Sequence, residues 1–230
     1  MVGSIRKSAA IIAITCSVCA GAAFSGQLHP YRDAASVCVR LTTHDHLSGP
    51  ALRTLEEEAT RIWIRHGIEL TWTQPVSKEC PTIVALVFDE RELLKLAGGL
   101  RDEALARTLF LGRTQTIYVS VPRAFAMLAH LTAENKTLDT GGERDFRGGT
   151  LLGRVVAHEL GHVLLTTLSH SAQGLMRPVF GLRDVLSSDE ATTRLSSLET
   201  NRLVMRFSLV PAFDPPQRDP SVLARAEMTK

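Results

Sequence analysis

The chain has 230 residues, 44% of them hydrophobic, with 26 basic and 24 acidic side chains and a formal net charge of +2. That is enough for one domain with a continuous core, and the near-neutral balance excludes a basic field for nucleic acid or an anionic membrane surface. Beyond the first residues no apolar run is long enough to span a bilayer.

Arg6 and Lys7, followed by the apolar small-residue run Ser8 to Ala23, have the pattern of a secretory signal, with small residues placed for cleavage after Ala22 or Ser25. The run is short for a span of about 20 residues, so an uncleaved anchor is the weaker reading, and neither Cys16 nor Cys19 is placed for lipidation. We therefore divide the chain into a signal at 1–25, one domain at 26–208 and a loose, proline-rich tail at 209–230, in a secreted or periplasmic protein. In an oxidising compartment Cys38 and Cys80 are expected to pair, and closing a loop of about 43 residues stabilises a fold by roughly 4 kcal/mol.

Within the domain, Val37, Val39 and Leu41 alternate through 36–43, the period of a strand. Gly49-Pro50 opens a helix to about His66, with Leu52, Leu55, Ala59, Ile62 and Trp63 at helical spacing and Gly67 as its stop. Ile68, Leu70 and Trp72 alternate again, which predicts a strand, helix, strand unit with parallel strands and a right-handed crossover. Residues 82–88 read as a buried strand, 101–110 as a helix, 116–121 as a strand and 123–131 as a short helix, giving a three-to-four-stranded sheet backed by helices. The polar segment 132–149, with Gly141-Gly142 and Gly148-Gly149, reads as a mobile loop, either a lid or a plain connector, before a helix starting at Thr150. Residues 188–207 read as a closing helix.

The helix from Thr150 carries His158-Glu159-Leu160-Gly161-His162, and His170 follows. Residues four apart share a helix face, so His158 and His162 can offer a ring nitrogen each to one cation. Glu159, one step round, stays off the cation but within reach of a water on it, whose pKa zinc brings to about 7. The cysteines are too few and too far from these histidines in sequence to read as zinc ligands. His44 and His46 flank Asp45 near a strand end, either as a solvated terminus or as a second metal site, and His66 suits the negative end of a helix.

The stretch HELGHVLLTTLSHSAQGLMRPVF, 158–180, resembles the metzincin zinc peptidases, the matrixin type most closely, whose motif is H-E-x-x-H-x-x-G-x-x-H followed by a Met-turn M-x-P. His158 and His162 match the first two ligands, Glu159 the base, His170-Ser171 the third ligand and its following serine, and Met176-Arg177-Pro178 the turn. Seven residues rather than five separate His162 from His170, and Leu165 stands where the motif has its turn glycine. Glutamate is the third ligand in gluzincins, so Asp189 or Glu190 stays open beside His170, although Ser188, Asp189 and Glu190 also read as a capped helix N-terminus.

The resemblance implies an α+β, zincin-like single domain: a mixed twisted sheet, the active-site helix beneath it and a small C-terminal helical subdomain. It implies one Zn2+ per chain and peptide or protein substrates that pair with an edge strand, a role that falls to 116–121. Glu159 would move a proton from water to the leaving amine, and as in matrixins no tyrosine follows Met176 to assist. No nucleic acid and no stable membrane association after signal cleavage are expected, and the protein is taken as a monomer. Two other readings stay open, a zinc-stabilised binding module without catalysis and an amide or ester hydrolase for small substrates.

Overall fold

The structure, a computed structural model, describes residues 34–43, 45–73, 82–96, 104–111, 114–134, 140–179, 187 and 189–209. The signal at 1–25, His44, Cys80 and the tail after 209 lie outside these residues.

Strand β1 (Ala35–Thr43), helix α1 (Gly49–Ile64) and strand β2 (Ile68–Thr73) form the expected unit, the two strands parallel with Ala35 opposite Ile68. Ser48 caps α1 by accepting from Ala51 N, and Pro50 sits in the first turn, where a missing N–H costs nothing. Strand β3 (Ile83–Phe88) lies parallel to β1 on its other side and leads into helix α2 (Glu90–Leu96), an element the sequence reading passed over. Strand β4 (Ala106–Leu111) is antiparallel to β5 (Thr114–Val119), which is parallel to β3. The result is a five-stranded, mostly parallel sheet of order β2-β1-β3-β5-β4, wider than the three to four strands expected because β4 joins it.

Two expectations fail in this sheet. The helix expected at 101–110 gives way to β4, because Thr108, Leu109 and Phe110 gain a ladder with β5 across the two-residue link Gly112-Arg113. The strand expected at 116–121 ends at Val119, and it is not an edge: β3 and β4 pair with β5 on both sides, which leaves β2 and β4 as the edges of the sheet. Cys38 is buried on β1 and disulfide-bonded, but with Cys80 undescribed its pairing remains a reading from sequence.

Helix α3 (Val121–Glu134) begins directly after β5, with Ser120 Oγ accepting from Arg123 N. Helix α4 (Gly141–Leu165) is 25 residues long and overturns the loop expected over 141–149. Thr140 caps it, and Gly148 and Gly149 serve close packing instead of mobility: a Cβ on Gly148 would sit 2.4 Å from Phe125, and one on Gly149 2.5 Å from the Ala51 carbonyl oxygen. The closing helix expected at 188–207 is broken into a 3-10 turn (Glu190–Thr193) and helix α5 (Ser197–Phe207), which starts with a capping box between Ser196 and Glu199.

Gly149, Gly153, Ala157 and Gly161 recur every four residues along α4, and α1 lies against α4. A Cβ on Gly153 would come within 2.9 Å of Leu55 O, so only a hydrogen there allows this approach. Trp63 of α1 is fully buried and donates its indole N–H to Ala157 O at 3.1 Å. Residues 151–165 of α4 are buried on every face, among Val37, Val84, Leu86 and Ile117 of the sheet and Leu55 and Ile62 of α1. Each such side chain contributes about 1.5–3 kcal/mol through burial, so tertiary packing holds the helix in place. No helix among the described residues is long and apolar enough to cross a membrane.

Candidate metal centre

The enclosed last turns of α4 carry His158, Glu159 and His162, each less than a tenth exposed. The two imidazoles meet edge to face with centroids 4.8 Å apart, and His170, on the loop after the helix, stacks on His158 at 5.3 Å and stands 4.9 Å from His162. The donor atoms of all three lie within 4.8 Å of one another.

Hydrogen bonds assign the tautomers. A carbonyl oxygen only accepts, so Nδ1 of His158 donates to Leu175 O and Nδ1 of His162 to Thr167 O, each at 2.8 Å. Burial holds both rings below the ordinary histidine pKa, His158 at about 4, so both are neutral and each Nε2 keeps its lone pair. Those two lone pairs face each other at 3.1 Å. Left alone they repel; a cation between them turns the contact into attraction.

The donor set fits zinc. Two nitrogens at about 2.0–2.1 Å from one tetrahedral ion stand about 3.3 Å apart, close to the 3.1 Å found here. All ligand pairs of such an ion share that spacing of about 3.3 Å, so a separation of up to 4.8 Å asks the exposed His170 ring to move inward by up to about 1.5 Å. Burial also lowers the pKa of His170, keeping it neutral.

Glu159 reaches β4. Oγ of Thr108, on β4, donates to Glu159 Oε2 at 2.5 Å and approaches Glu159 O at 3.1 Å. Burial lifts the carboxyl to about 7 against the opposing pull of Thr108. Thr108 was missed in sequence because only the β4–β5 pairing and the packing of α4 against β4 bring it within reach.

Beneath the histidines, Met176 is fully buried, and its Sδ would lie 2.2 Å from a Cβ on Gly161. Met176 O accepts from Ser171 N at 2.9 Å, and Leu175 N donates to Arg194 O at 3.0 Å, so the segment that supplies Leu175 O to His158 is anchored at both ends. Gly174 is the residue this turn needs: its φ is 76°, and a Cβ there would meet Arg194 O at 2.1 Å. Pro178 follows, exposed. The missing glycine at 165 is explained by Thr166, which takes the left-handed conformation (φ 50°, ψ 47°) one residue later and lets Thr167 N bond back to His162 O at 3.1 Å.

The other candidate ligands are occupied elsewhere. Asp189 caps the 3-10 turn by accepting from Ala191 N at 2.9 Å, and Glu190 pairs with Arg65 at 2.6 Å, so the acidic alternative to His170 is withdrawn. His46 lies in the loop after β1, beside a surface cavity, while His44 is undescribed. His66 does not act as a helix-end cation: its ring is buried edge-on to Trp63, and burial lowers its pKa. Arg154, one turn before His158, donates to Glu58 of α1 at 2.8 Å and to Ser187 O at 2.6 Å, tying the ligand helix to its neighbours.

No protein-family model matches this chain, and no curated protein matches it.

Proposed function

We propose that this protein is a zincin-like, zinc-dependent peptidase that cleaves peptide bonds with Glu159 as general base. One observation carries the reading: two neutral imidazoles on one helix face aim unprotonated Nε2 atoms at each other 3.1 Å apart, with His170 alongside and a buried carboxylate one residue from the first. His158, His162 and His170 would hold the ion, with Met176 and Pro178 in the turn beneath. Bound zinc supplies a Lewis acid that lowers the pKa of water to about 7 and offsets negative charge developing on a scissile carbonyl.

The chain's own residues supply the remainder. Thr108 holds Oε2 of Glu159, which leaves Oε1 to accept the proton of the attacking water and return it to the leaving amine. β4 is the edge strand, among the described residues, that bears Thr108, so an extended peptide adding to its outer side lies beside the base. A binding module with a retired centre has no need of a carboxylate held in this way. The signal pattern at 1–25 supports action outside the cytoplasm.

Metal analysis combined with peptide-library cleavage tests this. The wild type should carry one zinc per chain and cut peptides, and Glu159→Ala should keep its zinc while kcat/KM falls on the order of 10²- to 10⁴-fold. A folded, zinc-loaded protein that cuts nothing in the pool overturns the proposal.

A further inference from the structure

We propose that Arg206 of α5 is a positioning residue for the metal centre, performing the task that a glycine after the ligand helix would otherwise perform. The proposal rests on the zinc reading above and concerns how this chain, with a threonine at the turn and a longer connection to His170, keeps its ligands aimed.

The final carbonyls of a helix have no partner within it, and a residue with a Cβ resists the left-handed conformation needed to reverse sharply. Both problems meet at the end of α4. Val163 O takes only a long 3.3 Å bond from Thr166 N in the last turn, Leu164 O follows it, and Thr166 carries a branched side chain in the left-handed region. A single group answers both: Nη1 of Arg206 donates to Val163 O at 2.8 Å and to Leu164 O at 2.9 Å, and it also bonds Oγ1 of Thr166. Its positive charge sits where the helix dipole is negative. The Arg206 guanidinium lies 5.3 Å over the ring of Phe207, and the capping box of α5 fixes the helix that presents it.

What this turn controls is the metal centre. Thr167 N bonds His162 O, and Thr167 O receives the Nδ1–H of His162, so the backbone just after Thr166 sets the tautomer and tilt of the second ligand. His170 follows three residues later, and Ser171 is pinned to Met176 O at 2.9 Å. The segment 166–171 therefore hangs between two fixed points. If Thr166 leaves the left-handed region, Thr167 O swings off His162 and the path to His170 changes with it. Glycine reaches that conformation freely, so the need for Arg206 should vanish if Thr166 becomes glycine.

This makes a rescue experiment. Zinc affinity is measured by competition with a chromophoric chelator for wild type, Arg206→Ala, Thr166→Gly and the double variant, with thermal unfolding alongside. Arg206→Ala should weaken zinc binding by about 10- to 100-fold, as loss of a ligand's supporting partner does, and the double variant should recover most of that affinity. If Arg206→Ala alone does not fold, Arg206→Met, which keeps an aliphatic stem of similar length and removes the guanidinium, carries the same comparison. Unchanged zinc affinity in the single variant, or an equal loss in single and double variants, overturns the role of Arg206 while leaving the zinc site standing. A wild type that binds no zinc overturns both readings.

Discussion

His158 and His162 stand on the fully buried second half of α4, whereas His170 stands on an exposed loop that is held at its ends. On the helix side, position comes from close packing: α1 approaches through the stripe of Gly149, Gly153, Ala157 and Gly161, Trp63 bonds Ala157 O, and Arg154 ties to Glu58. On the loop side it comes from a few hydrogen bonds, among them Ser171 N to Met176 O. Packing tolerates little displacement, because interiors are as dense as crystals, while a loop on a few bonds can adjust by about an ångström. The centre thus joins a rigid pair of ligands to an adaptable third, which accounts for a longer connection without loss of the cluster.

Four experiments break or sharpen this contrast. The largest effect belongs to the rigid pair: His158→Ala should cost more zinc affinity than the roughly 100-fold upper range for loss of a supporting partner, and His170→Ala should cost less than His158→Ala. Chelator competition reads both, and equal losses would erase the distinction. Next, Gly153→Ala puts a methyl within 2.8 Å of Glu58 Cβ and 2.9 Å of Leu55 O, and should destabilise the fold by about 1–3 kcal/mol in denaturant unfolding. An unchanged midpoint would mean that α1 and α4 are not in the close contact described.

Thr108→Val removes the hydroxyl that holds Glu159 Oε2 and should lower kcat about tenfold, the equivalent of one hydrogen bond to a charged group, with KM little changed. Thr108→Ser should keep most of the rate, and equal rates in the valine and serine variants would remove Thr108 from the site. The smallest effect is one of pH. Burial holds His66 below its ordinary pKa of 6.5, so as pH falls through 6.5 the unfolded chain takes up a proton that the fold resists. That contribution to stability is complete above 6.5 and is lost progressively as pH drops toward the folded value. His66→Phe should flatten this part of the stability curve relative to wild type; parallel curves would show that the ring titrates alike in both states.

Much of this was readable in advance, and the reasons are local. The unit β1-α1-β2 follows from alternation, a capped start and a stop at Gly67, all within a few residues of each other. The helical pair of histidines follows from spacing alone. The errors have a common origin in partners distant in sequence. Residues 106–111 lack a decisive period and become a strand only by pairing with β5, although Gly112 between two β-prone runs was an available hairpin signal. The glycines at 141–149 suggest a loop when read alone, and only α1 and Phe125 explain Gly148 and Gly149 as sites of close approach within a helix.

What the residues determined by themselves is the local chemistry: which side chains can bind a cation, that two of them share a helix face, and that a carboxylate stands beside them. The tertiary structure decided the rest, because it depends on groups far apart in the chain: Thr108 from an edge strand on Glu159, Leu175 O and Thr167 O selecting the tautomers, and Arg206 on the turn without a glycine. Spacing acts over a helical turn or a strand period, whereas orientation of a buried polar group needs a partner within about 3 Å, and that partner can come from anywhere in the sequence.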